Sequence, residues 1–314
     1  MTTPHLIALD WGTSNLRASL LDGQGNAIEN RSAPGGVMAV KDRQFSAALL
    51  ALCGDWVRQF SCPLVASGMI GSRQGWREAP YLDCPAHLSQ AALALTAVEL
   101  QDPQLGDVAR QLHIAPGLRC VESNGQFDVM RGEEIQIWGA DVAPNSLCVL
   151  PGTHSKWAWV GSGGEISRFQ TYMTGELFGL LTKHGILGRL MTFGTLCKDD
   201  FVTGVRVGLS SPSQATHVIF SARTAGLMGT IPAQGLPDYL SGVLIGIELG
   251  SALTAGAQGA QSGITLIGDD DLCWRYELAF ELLGVPTRRA PDGATTRGQW
   301  RVAQASPLMA YAQA

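Results

Sequence analysis

LIALDWGTSNLRASLLDG, residues 6–23, reads as a strand, a tight polar turn and a second strand. The apolar run Leu6–Leu9 stops at Asp10, and the turn passes through Gly12-Thr13-Ser14-Asn15. Leu16–Leu21 then resumes the apolar pattern up to the hairpin signal Asp22-Gly23. A third strand ending near Arg31 completes the unit. The same sentence recurs in LCVLPGTHSKWAWV, residues 147–160: strand, turn through Gly152-Thr153-His154-Ser155, strand, then a glycine turn and a third strand EISRFQTYM. Aligning Gly12-Thr13 with Gly152-Thr153 gives a repeat of about 140 residues, the scale of a duplicated domain rather than a solenoid.

Around these units, strands alternate with helical patterns, which predicts an α/β fold in two similar lobes, residues 1–141 and 142–314. Helical spacing of Phe45, Leu49, Leu52, Cys53, Trp56 and Phe60 predicts a helix, followed by a strand at 64–67. Helices are expected over 87–100 and from Asp128 onward, with a strand at 110–115 between them. In the second half, helices are expected near 176–190, 239–257, 271–284 and 293–305, and strands at 264–268 and 286–290. The stretch 200–230 reads as mixed, and 191–215 has no assigned element.

Composition narrows the function. With 46% hydrophobic residues, 16% charged residues and a net charge of −5, the chain can build a core and carries no basic block for phosphate backbones. Nucleic-acid and membrane partners are therefore not expected. Seven cysteines without a CxxC argue against a disulfide framework or zinc site, and with no leader-like N-terminus the expectation is a soluble, cytoplasmic protein. The thirty-eight glycines among 314 residues exceed the usual ~7% and imply tight turns or bare backbone at a ligand.

Both Gly-Thr turns offer N–H and hydroxyl groups where no bulky side chain blocks approach, which is what a polyphosphate requires. One such loop is as well explained as a good hairpin turn; two matched loops point to phosphate. Asp10, ending the first strand, is placed to hold Mg²⁺ beside those phosphates. Asp128, following Gly125 at an expected helix start, is a candidate proton acceptor kept ionised by the helix dipole; an N-cap is the plainer alternative. His154 is a candidate phosphate donor. SGMIGSRQGWREAPYLDCP, residues 67–85, leaves a strand and carries Met69, Arg73, Trp76 and Arg77 among glycines. An arginine fork there suits a carboxylated small molecule. SAPGGVMAV, with Gly35 and Gly36, is expected to form the other wall of that site. GxxxxGK[ST], kinase HRD and DFG sets, GxGxxG, GxSxG and HExxH are all missing.

The segments LDWGTSNLRASLLD, SGMIGSRQGW, DVMRGEE, LPGTHSKW, YMTGELF, FSARTAGL and PDYLSGVLIGIEL, in this order, resemble the 2-dehydro-3-deoxygalactonokinase family of sugar-acid kinases, in the wider group that shares the actin, Hsp70 and hexokinase fold. The resemblance implies two ribonuclease H-like lobes with ATP and substrate in a central cleft, and it allows the last helix to cross back to the first lobe. It implies transfer of the γ-phosphoryl group of ATP, as its Mg²⁺ complex, to the 6-hydroxyl of 2-dehydro-3-deoxy-D-galactonate in galactonate breakdown. Residues 12–15 and 152–155 would hold phosphates, Asp10 the metal and Arg73 the substrate carboxylate. Asp128 would act as base, and Glu133 and Glu134 would face away from the helix start. Gly268 and Asp269 would meet the adenine, although LIGDDDL places acidic residues where relatives commonly carry a second glycine. Two alternatives stay open: a kinase for another sugar or sugar acid, and a non-catalytic sugar or nucleotide sensor on the same fold. A homodimer is compatible with either.

Overall fold

A computed structural model describes residues 3–101, 110–122, 124–254 and 263–311. In chain order the elements begin with β1 (Leu6–Trp11), β2 (Asn15–Leu21), β3 (Ala27–Pro34), α1 (Phe45–Gln59), β4 (Leu64–Ser67) and β5 (Tyr81–Asp83). Next come α2 (Leu88–Leu93), β6 (Thr96–Glu99), β7 (Gln111–Ile114), β8 (Gly117–Val121), β9 (Phe127–Met130) and α3 (Glu133–Gly139). They are followed by β10 (Ser146–Leu150), β11 (Ser155–Val160), β12 (Ile166–Tyr172), α4 (Thr174–Lys183), α5 (Lys198–Ser210), α6 (Ala215–Ile219) and α7 (Ser221–Leu227). The chain closes with α8 (Leu236–Thr254), β13 (Ile264–Leu266), α9 (Asp270–Glu281), β14 (Thr287–Arg289), α10 (Ala294–Ala305) and α11 (Leu308–Tyr311).

Two compact units result. The first takes Met1–Pro144, Val160–Arg168 and Pro291–Ala314, and the second takes Asn145–Trp159 and Phe169–Ala290. The first unit takes in Pro144, and α10 belongs to it.

In the first unit a six-stranded sheet has the order β3-β2-β1-β4-β7-β6. β1 pairs antiparallel with β2, setting Asp10 opposite Arg17, and parallel with β4, setting Asp10 opposite Ser67. Parallel pairing brings the carboxyl ends of β1 and β4 side by side, the place where open α/β sheets hold ligands. The core beneath is built from Ile7, Leu9, Trp11, Phe45, Leu49, Trp56 and Ile114. On the other face α10 packs Trp300 and Ala303 against Leu6, Ala8, Leu21 and Val65. Its Gln299 Nε2 donates to the Leu9 carbonyl at 2.6 Å and Ser67 Oγ at 2.8 Å.

The second unit carries a five-stranded sheet of order β12-β11-β10-β13-β14. The internal repeat surfaces here as a shared neighbour order, with β12-β11-β10-β13 answering β3-β2-β1-β4, and β10 and β13 again parallel. Leu147, Val149, Trp157, Phe201, Ile264, Tyr276 and Phe280 fill its core.

Three expectations change. The helix over 87–100 ends at Leu93, because Thr96 and Val98, the latter β-branched and buried, pair with Ile114 and Leu112 as an edge strand. The mixed stretch 200–230 is helical, and α5 covers most of the unassigned 191–215. Asp128 does not start a helix. Gly125, at φ 82°, closes a hairpin in which Glu122 N–H donates to the Gln126 carbonyl, so Phe127–Met130 returns as β9 beside β8. The β5-β8-β9 sheet so formed has no counterpart in the sequence reading.

The glycine excess also has a second cause besides loops. An added Cβ at Gly204 or Gly208 would stand 2.1 or 2.2 Å from carbonyl oxygens of α8. At Gly242 or Gly246 it would stand 2.1 or 2.4 Å from carbonyl oxygens of α5, so these two helices touch backbone to backbone.

Candidate functional site

In the first unit the turn after β1 is locked by its own backbone and by the strap that follows β3. Gly12 N–H donates to the Asn15 carbonyl at 3.0 Å, while Val37 N–H reaches the Gly12 carbonyl at 3.0 Å and Gly35 N–H the Ser14 carbonyl at 3.2 Å. The approach is close enough that a Cβ on Gly36 would lie 2.2 Å from the Thr13 carbonyl carbon and oxygen. Thr13, Ser14 and Asn15 are left exposed at the tip. Gly35 and Gly36, expected as a wall of the 67–85 site, are thus bound to the 12–15 turn as one structural element.

Asp10 stands at the root of this turn, half-buried, with the exposed Arg17 guanidinium 3.3 Å away. Burial raises its proton affinity, and Arg17 opposes the rise. Gly68, at φ 91°, lets the chain leaving β4 pass beside Asp10: a Cβ there would be 2.9 Å from the Trp11 carbonyl oxygen and 3.6 Å from Asp10 Oδ1. Gly132, at φ 106°, in turn abuts Gly68, whose Cα would be 3.2 Å from a Cβ on residue 132. The root of the first loop and the start of α3 are therefore neighbours.

That helix start is where the sequence reading missed a group. Glu133 and Glu134 fold back onto it: a Glu133 oxygen accepts Arg131 N–H at 3.0 Å, and both Glu134 oxygens face Gly132 N–H at 2.9 and 2.8 Å. Glu134 is 0% exposed, and desolvation followed by repulsion from Glu133 pushes it up to about 8. The signal was present in Glu133-Glu134 immediately after Gly132, a glycine able to adopt positive φ. Asp128 lies on β9 instead, half-buried opposite Cys120, without the helix dipole that was to keep it ionised.

The loop 67–85 is split in character. Met69 opens a 3-10 turn and is half-buried, and Trp76 stacks on Phe45 at 6.1 Å. Arg73 stands out in solvent, 84% exposed, with Nε 3.1 Å from Glu78 Oε1. A substrate carboxylate would have to replace that of Glu78.

In the second unit Gly152, Thr153 and His154 form the matching tip. The N-terminus of α4 is pressed against it: Glu176 N–H donates to the Thr153 carbonyl at 2.9 Å, and a Cβ on Gly175 would lie 2.4 Å from the Gly152 carbonyl oxygen. The positive end of a helix therefore sits beside this loop, a setting that favours anions. His154 Nε2 lies 2.5 Å from Glu176 Oε2. Ser155 departs from expectation, because its side chain is wholly buried and donates its hydroxyl to Glu248 Oε1 at 2.7 Å, away from the tip.

Gly268 packs beside Pro151, with its added Cβ at 3.3 Å from the Pro151 oxygen, and Asp269 is exposed at the head of α9. A cavity of about 130 Å³ adjoins the loop, lined by Gly152, Phe178, Leu244, Leu272 and Arg275 among others. It is apolar with a few polar groups, and smaller than the ~300–1,000 Å³ of most small-ligand pockets. Among the described residues no helix is long and apolar enough to cross a membrane.

The sequence profile of the 2-keto-3-deoxy-galactonokinase family matches residues 10–302. The chain belongs to that family. It is 38% identical over 305 residues to the 2-dehydro-3-deoxygalactonokinase of Escherichia coli (strain K12), covering 96% of this chain and 99% of that one. A Rhizobium meliloti (strain 1021) protein, named as a candidate enzyme of the same kind, is 34% identical over 316 residues, with 95% and 99% covered. A crystal structure from Sinorhizobium meliloti, also named as a candidate 2-dehydro-3-deoxygalactonokinase, superposes with a TM-score of 0.86 at 32% identity, covering 96% of this chain and 99% of that one. The 2-keto-3-deoxy-galactonokinase family thus accounts for the α/β fold seen here with its mixed sheets.

Proposed function

We propose that the protein transfers the γ-phosphoryl group of ATP to the 6-hydroxyl of 2-dehydro-3-deoxy-D-galactonate, giving 2-dehydro-3-deoxy-6-phospho-D-galactonate in galactonate breakdown. The observation that carries this reading is family membership across nearly the whole chain, with a relative at 38% identity bearing that name. The two Gly-Thr tips supply it with phosphate-holding groups.

In this reading Gly12–Asn15 and Gly152–His154 hold the phosphates, aided by the α4 N-terminus, and Gly268 and Asp269 meet the adenine. Such catalysis rests mainly on position and charge neutralisation. Asp10 fits Mg²⁺: it is a half-buried carboxylate whose burial cost a hard cation would relieve. Among the described residues no three His, Cys, Asp or Glu side chains converge, and Mg²⁺ characteristically binds through one or two carboxylates with water and phosphate oxygens. When bound, the ion neutralises charge on the transferring phosphoryl group. Arg73, released from Glu78, would pair with the sugar-acid carboxylate, with Met69, Trp76, Gly35 and Gly36 as neighbouring walls.

Two carboxylates compete for the role of proton acceptor. Asp128 is the acceptor implied by the family resemblance, although it lies on β9 rather than at the helix start where that role was expected. Glu134 sits at the helix start, but burial raises its proton affinity, so at neutral pH it holds a proton that it would first have to release. Closed to solvent, it would meet a hydroxyl only as the Gly132 turn opens. Asp128→Asn and Glu134→Gln separate the two: loss of the base lowers turnover on the order of 10²–10⁴-fold with ATP affinity kept. Normal turnover in both variants would remove the base from this segment.

The defining assay is ADP release from Mg-ATP with 2-dehydro-3-deoxy-D-galactonate beside its 4-epimer. Preference for the galactonate-derived acid supports the reading; turnover with another sugar acid alone replaces the substrate. Turnover with none moves the protein to the sensor class.

A further inference from the structure

One buried carboxylate in the second unit has no part in the chemistry above. Glu248 lies on α8, 2% exposed. Its Oε1 accepts from Ser155 Oγ and from Trp157 Nε1, each at 2.7 Å, and its Oε2 accepts from Tyr276 OH at 2.7 Å and from Thr174 Oγ1. Four neutral donors converge on two oxygens. The Trp157 indole can only donate, whereas the three hydroxyls can also accept, so an amide or a protonated acid here would reverse one of the hydroxyl bonds. Burial outweighs the four donors, so the proton affinity of Glu248 is raised. A side chain so polar and so deeply buried is costly, so its presence calls for a geometric reason.

The donors supply that reason. Ser155 ends the Gly152–Ser155 loop and Trp157 follows it on β11, while Thr174 opens α4, whose Gly175 lies against Gly152 and Thr153. Tyr276, on α9, lines the adjoining cavity. We infer that Glu248 is a positioning residue for the second phosphate loop. It gathers Ser155 and Thr174 onto one carboxylate and thereby fixes the loop tip and the α4 N-terminus at the spacing a polyphosphate requires. The inference rests on the reading of this loop as an ATP-phosphate site.

The test uses Glu248→Gln, Thr174→Val and the hydroxyl-preserving Thr174→Ser in the full chain. Thermal unfolding, KM for ATP, KM for the sugar acid, and binding of ADP and of adenosine by calorimetry are measured for each. For Glu248→Gln and Thr174→Val, KM for ATP and Kd for ADP should rise tenfold or more, while adenosine binding and the sugar-acid KM stay within about twofold. Thr174→Ser should restore the wild-type values. Wild-type ADP affinity in a folded Glu248→Gln or Thr174→Val protein overturns the inference. So does an equal loss for ADP, adenosine and sugar acid, which marks general destabilisation. If Glu248→Gln fails to fold, Thr174→Val and its serine rescue decide. Wild-type protein that binds neither ATP nor ADP overturns the kinase reading and this inference together, whereas wild-type binding with unchanged variants overturns the inference alone.

Discussion

Gly152→Ala separates a glycine needed for folding from one needed for a ligand. At Gly152 an added Cβ would have no neighbour within 4 Å, and the backbone is not in the left-handed region that excludes alanine. Alanine should therefore fold without strain, and by narrowing the unfolded ensemble it should add about 0.4–1 kcal/mol of stability. Thermal unfolding is expected unchanged or a few degrees higher. The open space is, however, where a phosphate oxygen must come within about 2.9 Å of backbone N–H groups, and a methyl there holds it off. Loss of one hydrogen bond to a charged group costs about 1.5–3 kcal/mol, which is roughly 10–150-fold in KM for ATP. The assay is a coupled ADP-release titration in ATP at saturating sugar acid, with differential scanning calorimetry on the same preparation. Gly36→Ala is the contrast: its methyl would stand 2.2 Å from Thr13 backbone atoms that cannot step aside, so stability should fall by at least 1–3 kcal/mol. An ATP KM within twofold of wild type in folded Gly152→Ala would refute the reasoning, because phosphate would then not approach this tip.

Gln299→Ala should destabilise the first unit by about 1–3 kcal/mol, since it removes the buried donor shared by the Leu9 carbonyl and the Ser67 hydroxyl; urea unfolding followed by tryptophan fluorescence checks this. The pH dependence of stability carries a signature of Glu134. Its folded-state value, about 8, lies above the ordinary carboxylate value of 4.5, so the native form keeps a proton that the unfolded chain releases between those values. Stability contributed by that proton is fully present below about 4.5 and is lost as pH rises toward 8. Melting temperatures of wild type and Glu134→Gln should therefore diverge across this range, with wild type losing more; parallel curves would contradict the assignment.

The alternation in residues 6–23 and its echo at 147–160 were enough to place both hairpins and to imply duplication, because strand period and turn chemistry are local properties. Asp128 shows where local reading stops. Gly125 serves a helix entry and a hairpin turn equally well, and only pairing with Gly117–Val121 decides for the hairpin. Thr96 and Val98 were drawn into a helix by the alanines before them, although their partner strand lies about fifteen residues further on. Ser155 was read as a phosphate donor because its company in PGTHS is polar. Its actual acceptor, Glu248, is 93 residues away and could not be seen from the loop. The tips themselves were legible, being short, glycine-bearing and bounded by apolar runs, whereas the groups that brace them arrive from distant helices.

Gln299 reaches the Leu9 carbonyl across 290 residues of chain, and Trp300 covers Leu6, Ala8 and Val65. During synthesis at about 5–20 residues per second, β1 therefore leaves the ribosome roughly 15–60 seconds before the helix that seals it. Over that interval the nascent chain carries an apolar sheet face with its proper cover not yet made. This is a long-lived target for a holding chaperone, and a reason for the growing polypeptide to finish its second unit before its first.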